Sequence, residues 1–175
     1  LYNLAMQSEG GRILVFANMK SEASKLAKKL KENGLNCQVL TGDVPQHKRL
    51  SRLEEFRSGK TRLLVATDVA GRGIHIEGIT CVVNYTLPYE PEDYVHRIGR
   101  TGRAGAEGIA VSFACETGSF YLPAIEDYIG FALSCITPGD ELLAPPPEPV
   151  VLPVKKKKSR RRSRNYSRSR RKTGV

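Results

Sequence analysis

Apolar residues along this chain fall in short blocks set apart by amphipathic stretches. Five blocks are nearly continuous: RILVFA (12–17), NCQVLT (36–41), RLLVAT (62–67), ITCVVNY (79–85) and GIAVSFA (108–114). Their length and composition predict strands, and RILVFA suits a buried one. Between the first two, SEASKLAKKLKENG places Ala23, Leu26, Ala27 and Leu30 at i, i+3, i+4 and i+7, one face of a helix. Ser21 is expected to cap it, and Gly34 falls just past its end. PQHKRLSRLEEFRSGK predicts a second helix with Pro45 in first position, Asp43 as its cap and a stop at Gly59. Shorter helices are expected from Pro91 and over FYLPAIEDYIG, where Pro123 must lie in the first turn. The opening LYNLAMQSEGG reads as the end of a helix. Strands that alternate with amphipathic helices define an α/β fold with a mostly parallel sheet, whose binding groups gather at the carboxyl ends of the strands. The polar, glycine-rich segments NMKS, TGD and TDVAGRG do follow strands.

Past residue 137 the pattern dissolves. LLAPPPEPVVLPV predicts an extended, proline-rich linker over 138–154. KKKKSRRRSRNYSRSRRKTGV, residues 155–175, is like-charged and of low complexity, which predicts a disordered tail. The tail also changes the meaning of the net charge. Of 28 basic residues, five Lys and seven Arg lie in it with no acid, so residues 1–154 carry 16 basic groups against 18 acidic ones. The overall +10 is a property of the tail and not of the domain.

Composition excludes several classes. No apolar run approaches the roughly 20 residues that span a bilayer, and the N-terminus lacks the basic and apolar regions of a signal peptide. Cys37, Cys81, Cys115 and Cys135 form no CxxC pair, so neither a disulfide framework nor a zinc site is expected, and no metal ligands are assigned. The first three lie in apolar runs and are expected to behave as small hydrophobes, in keeping with a reducing, cytoplasmic setting. The helix-like start without an initiator Met suggests a piece of a longer protein.

Three segments carry candidate chemistry. In TGDVPQHKR, Gln46 and Arg49 sit three apart at a helix start, where free N–H groups and positive potential favour phosphate. A capped surface helix with a solvated Arg is the other reading. In VATDVAGRGIH, Thr67 and Asp68 end a strand, and Gly71 and Gly73 flank Arg72 in a loop that backbone or ligand can approach closely. An ordinary glycine turn is again the alternative. In YVHRIGRTGRAG, Arg97, Arg100 and Arg103 recur every third residue among glycines. Arginine is rarely buried, so they are expected to be presented to a phosphate or held in a salt-bridged turn. No G-x-x-x-x-G-K-[ST] loop is present to hold a nucleotide, so catalytic arginines would have to reach into a site supplied by another domain.

Together LVFANMK, TGDVPQHKR, LVATDVAGRGIHI and YVHRIGRTGRAG resemble, in order and spacing, motifs IV, IVa, V and VI of the second RecA-like domain of DEAD-box RNA helicases. The resemblance covers residues 1–137, and SFACETGSFYLPAIEDYIG with His75 narrows it to a bacterial branch tied to RNA-degrading assemblies. It implies a three-layer RecA-like domain and an ATP-dependent RNA helicase that unwinds short duplexes by closing with a first domain. It implies that Gly42, Gln46, Arg49 and Thr67 touch RNA backbone, that Arg100 and Arg103 are arginine fingers, and that Arg72, Gly73, His75, His96 and Arg97 belong to the ATP and interdomain site. ATP and Mg2+ would be held mainly by the first domain, and an RNase E-type scaffold would be a partner. Two positions depart from the family pattern. His75 stands where Asp is usual near the ribose, and Met19 stands where Thr is usual, with a thioether that cannot donate to phosphate. His47 is expected to be solvated, and Tyr85, Tyr89 and Tyr94 to be packing or surface residues and not a base-stacking platform, in line with a family that grips RNA backbone and not bases.

Two rival readings are a non-catalytic RNA-binding module that acts through its tail, and a DNA-directed motor of the same superfamily. A tail with this charge density favours polyanion binding that weakens steeply with salt.

Overall fold

A computed structural model describes residues 1–8, 10–71, 76–102, 107–146 and 148. Residues Arg72, Gly73, His75 and Arg103, residues 149–154 of the linker and the whole basic tail lie outside the described residues.

All five apolar blocks form strands: β1 (Arg12–Phe16), β2 (Cys37–Leu40), β3 (Leu63–Ala66), β4 (Ile79–Asn84) and β5 (Ile109–Ser112). They make one sheet in the order β2-β3-β1-β4-β5, parallel throughout. Right-handed crossovers then decide the layers. The step from β1 to β2 runs one way along the sheet and puts α2 (Lys20–Glu32) on one face. The later steps run the other way and put α3 (Gln46–Arg57), α4 (Asp68–Gly71) and α5 (Pro91–Ile98) on the other. The N-terminal α1 (Tyr2–Gln7) joins the α2 face, through Ala5 packed with Leu26, Ala27, Leu30 and the β1 residues Ile13 and Val15. The opposite faces of the same strands, including Leu14, Phe16, Leu64 and Val82, meet Phe56 of α3 and Ala70 of α4. A register shift between Arg12 and Ile13 against β4 lets Ile79 and Cys81 point to opposite faces. A 3₁₀ turn (Gly118–Tyr121), α6 (Leu122–Ile129) and α7 (Asp140–Leu143) complete the chain. Ile125 of α6 packs with Leu87 and Tyr94 beside α5, and Asn3 Nδ2 donates to the carbonyls of Leu142 and Ala144, tying α7 to α1.

Two arginines that open strands hold the amino-terminal edge of the sheet. Arg12 donates to the carbonyls of Arg57, Glu77 and Gly78, and Arg62 to those of Ser8 and Gly11. Each guanidinium closes loops from distant parts of the chain.

Four sequence expectations are corrected. Residues 140–143, expected within an extended linker, form α7, held against α1 by Asn3. The helix α2 begins at Lys20, with Met19 at the cap and not Ser21, because Glu22 reaches back to accept from Met19 N at 3.1 Å. Asp43 does not cap α3. The cap falls on Pro45 itself, and the Asp43 carboxylate pairs instead with Lys20 Nζ at 2.6 Å. Cys115 is not a buried hydrophobe, since β5 ends at Ser112 and the thiol is exposed. Cys37 and Cys81 are buried, and burial pushes the Cys37 thiol up to about 11 and raises that of Cys81. Cys115 moves the other way. The Thr117 hydroxyl 3.3 Å from Sγ and the Gly118 N–H at 3.4 Å favour the thiolate. A depressed pKa means more thiolate at a given pH and faster alkylation. Peptide mass mapping across pH should therefore find Cys115 labelled first, with Cys37 and Cys81 protected until the domain unfolds. Rapid labelling of Cys37 in the native domain would contradict the packing.

Candidate functional site

The chain leaves the sheet at five carboxyl ends, and the polar side chains gather there and along the α4–α5 flank. At their centre stands Arg97, the first arginine of the triplet, only 1% exposed. This corrects the expectation that arginine avoids the interior. Its burial is possible because each of its five N–H donors has an acceptor. Nε and Nη2 donate to the two carboxylate oxygens of Asp68 at 2.6 and 2.7 Å. Nη2 also reaches Asn18 Oδ1 at 2.7 Å, and Nη1 reaches Thr86 O at 2.7 Å and Asn84 Oδ1 at 3.3 Å. The guanidinium lies 5.4 Å from the Phe16 ring centroid. The acceptors come from the ends of β1, β3 and β4, so this one side chain from α5 ties three strands together. Asn84 passes the network on to β5, donating to Ser112 Oγ at 3.0 Å. Among the described residues no buried side-chain N or O lacks a partner.

Two concave surfaces meet at this hub. One is a crevice between α4 and α5, lined by Phe16, Asp68, Gly71, Asp93, His96 and Arg100. Arg100 follows α5 one turn after Arg97, and its Nε donates to His96 O at 3.1 Å. The His96 ring nitrogens lie 3.9 Å from the carboxylates of Glu92 and Asp93. A Cβ at Gly71 would collide with the Phe16 ring, so the close pass of α4 over β1 needs glycine there. Beyond Arg100 the chain turns through Gly102 at φ +66°, a left-handed conformation that suits glycine.

The second surface is an open groove across the ends of β1, β2 and β3, lined by Asn18, Lys20, Gly42, Thr67, Asp68 and Val69 and, from α5, Asp93. Thr67 is 5% exposed and accepts from Gly71 N at 2.7 Å. The structure thus brings together Gly42 and Thr67 of the expected RNA set. Arg49 lies beside them, half-buried, with Nη2 donating to Ala70 O at 2.6 Å, so it fastens the start of α3 to α4. Gln46 is exposed at the start of α3 and does not line the groove. Sequence reasoning missed Asn18, Lys20 and Asn84. An asparagine inside the apolar run CVVNY was the available signal, since a buried amide needs partners.

Mg2+ does not fit this chain's described residues. Of the two carboxylates shared by the crevice and the groove, Asp68 and Asp93, the first has both oxygens committed to Arg97, and among the described residues no group of three or more His, Cys, Asp or Glu side chains is placed to hold an ion. No described helix is long and apolar enough to cross a membrane.

A parallel sheet of this order, with polar loops gathered at its carboxyl ends and a buried arginine supplied by a flanking helix, has the architecture of a RecA-like domain. Comparison with known proteins sharpens that class. Residues 1–105 match the helicase conserved C-terminal domain. The ATP-dependent RNA helicase RhlB of Pseudomonas syringae pv. tomato is 58% identical over 143 residues, covering 82% of this chain and 36% of that protein. RhlB of Xanthomonas oryzae pv. oryzae is 49% identical over 155 residues, covering 89% of this chain and 27% of that protein. Among solved structures, E. coli DEAD-box protein SrmB bound to regulator of ribonuclease activity A superposes with a TM-score of 0.75 at 35% identity, over 80% of this chain and 82% of that one. Yeast Dbp5 bound to RNA and ADP BeF3 superposes with a TM-score of 0.69 at 38% identity, over 74% of this chain and 35% of that one. The chain belongs to the helicase conserved C-terminal domain family, as a DEAD-box RecA-like domain of the RhlB-like branch. It spans little more than a third of the RhlB sequence from Pseudomonas syringae.

Proposed function

We propose that this chain is the second half of an ATP-dependent RNA helicase, which closes with a first RecA-like domain over ATP and RNA and so unwinds short duplexes. The observation that carries this reading is the position of Arg97. It binds Asp68, which lines both the crevice and the groove, and Asn18, which lines the groove. A phosphate chain in the groove and a nucleotide in the crevice would therefore rest on one rigid hub.

In this reading the groove takes the RNA backbone. Gly42 permits close approach, Thr67 lies in the groove floor, and Arg49 supplies charge beside α4. Gln46 would join them once RNA lies along α3. The crevice takes the phosphates of an ATP held by the other domain. Arg100, with Arg103 by resemblance, brings positive charge to the transferring phosphoryl group, where it counts most in the transition state. His96, and by resemblance Arg72, Gly73 and His75, complete the contact between domains. Any Mg2+ belongs with the phosphates on the other domain. A cytoplasmic location and docking on an RNase E-type scaffold follow from the same family reading.

This chain alone should then hydrolyse ATP negligibly, while adding the first domain restores RNA-stimulated turnover. If deleting 155–175 abolishes RNA binding and the added domain restores no turnover, the tail-driven binding module is the correct reading instead. Arg49→Ala should weaken RNA binding more than ATP binding and should lower the log–log salt slope by about 0.7, the share of one single-strand phosphate contact. The reverse ranking of the two affinities would remove Arg49 from the groove.

A further inference from the structure

The groove across the strand ends has a charge balance at odds with an anionic occupant. Two of its lining residues are carboxylates, Asp68 and Asp93, and among the described residues Lys20 is the one cation that lines it. Asp68 is paired with Arg97. Lys20 is paired too, with its Nζ 2.6 Å from Asp43 Oδ1. Arg49 stands beside the groove with Nη2 turned to Ala70 O. The one cation of the lining thus already holds a carboxylate, and a phosphate that enters must compete for it.

Magnitudes say that the phosphate wins. The Lys20 and Asp43 side chains are 57% and 72% exposed, and a pair so exposed is worth only about 1.4- to 5-fold in an equilibrium constant. A hydrogen bond to a charged group, as to a phosphate, is worth about 10- to 150-fold. Lys20 opens α2, where Met19 N donates to Glu22 and fixes the backbone, while the four-carbon stem lets the ammonium swing. The ammonium already lies over Gly42, where a Cβ would stand 3.8 Å from Nζ. Asp43 is the next residue of the same loop between β2 and α3, so carboxylate and phosphate would approach Nζ from adjoining positions.

We propose that Lys20 binds one phosphate of the RNA strand in the groove by exchanging Asp43 for it, and that Asp43 is the internal competitor that holds the groove's affinity down. This rests on the reading of the groove as the RNA-backbone site, and it adds to that reading a binding residue and a control on affinity. A phosphate contact carries no base information, so the exchange is indifferent to sequence.

The test uses the full-length protein with a non-hydrolysable ATP analogue and single-stranded oligoribonucleotides in which one neutral methylphosphonate linkage is walked along the strand. Lys20→Met should weaken binding of the unmodified strand about 2- to 100-fold, the quotient of the two ranges above, and should lower the log–log salt slope by about 0.7. Lys20→Arg, which keeps the charge, should bind close to wild type. Wild-type protein should lose affinity at one linkage to which Lys20→Met is indifferent. Asp43→Asn should tighten binding about 1.4- to 5-fold, and in the Lys20→Met background it should change nothing. Equal tightening in both backgrounds would mean that Asp43 only repels the strand. Sensitivity to every linkage retained in Lys20→Met would mean that Lys20 touches no phosphate. Either result overturns the exchange. Arg49→Ala serves as the reference. If it weakens binding and Lys20→Met does not, only this inference falls. If neither variant weakens binding, the groove reading fails and this one fails with it.

Discussion

Arg97→Met should destabilise the domain by about 3–5 kcal/mol, the range for removing one member of a buried ion pair. The substitution keeps most of the side-chain volume, so the loss comes from the acceptors left behind. Asp68 would keep its charge at the edge of the core, with Asn18, Asn84 and the Thr86 carbonyl turned toward an apolar chain. A domain of ordinary stability has only about 5–15 kcal/mol in total, so denaturant melts should show a large fall in midpoint. Arg97→Lys should recover only part of it. An ammonium carries charge but has three donors and no planar fork, so it cannot serve both carboxylate oxygens and three further acceptors. Pairing Arg97→Met with Asp68→Asn should cost less than the sum of the two, because each variant alone strands the other partner. A melt of Arg97→Met indistinguishable from wild type would mean that the five-donor arrangement is not the keystone described.

The second large effect concerns rate and not stability. Joined to a first domain, Arg100→Ala should lower single-turnover ATP hydrolysis at saturating RNA by about 10³- to 10⁵-fold, as arginine fingers do in phosphoryl transfer. Its fold should survive, since Arg100 lies past the end of α5 and belongs to none of the buried clusters of the domain. Arg103→Ala should act in the same direction. Retained ATP affinity with lost turnover is the signature of charge that matters in the transition state. Unchanged turnover in both variants would end the finger assignment.

The contrast between these two arginines shows how far the sequence could be read. Three residues apart on one short segment, they look alike in a string of letters, and the motif assigns both to the ATP side. Local spacing fixed the helix, the turn at Gly102 and the neighbourhood of Arg100. It could not fix the burial of Arg97, because its acceptors are Asn18, Asp68, Asn84 and Thr86, up to 79 positions away and brought together only by the strand order. The central strands β1, β3 and β4 were legible because burial on both faces leaves unbroken apolar runs, whereas β5 at the sheet edge leaves Ile109 exposed. Helix starts were less so. A glutamate reaching back to Met19 and a proline taking the cap of α3 moved two boundaries that simple capping preferences place elsewhere. Arg12 and Arg62 each open an apolar run, a repeated signature that marks guanidinium clamps once the loops they hold are seen.

The saturated coordination of Arg97 has a mechanical consequence. A residue whose every donor is occupied leaves no alternative arrangement to switch into, so on the proposed reading nucleotide and RNA would not communicate by reshuffling the bonds of this hub. The unit should travel as a solid jaw, and the work of the cycle should appear in the angle between jaws and in the tether joining them.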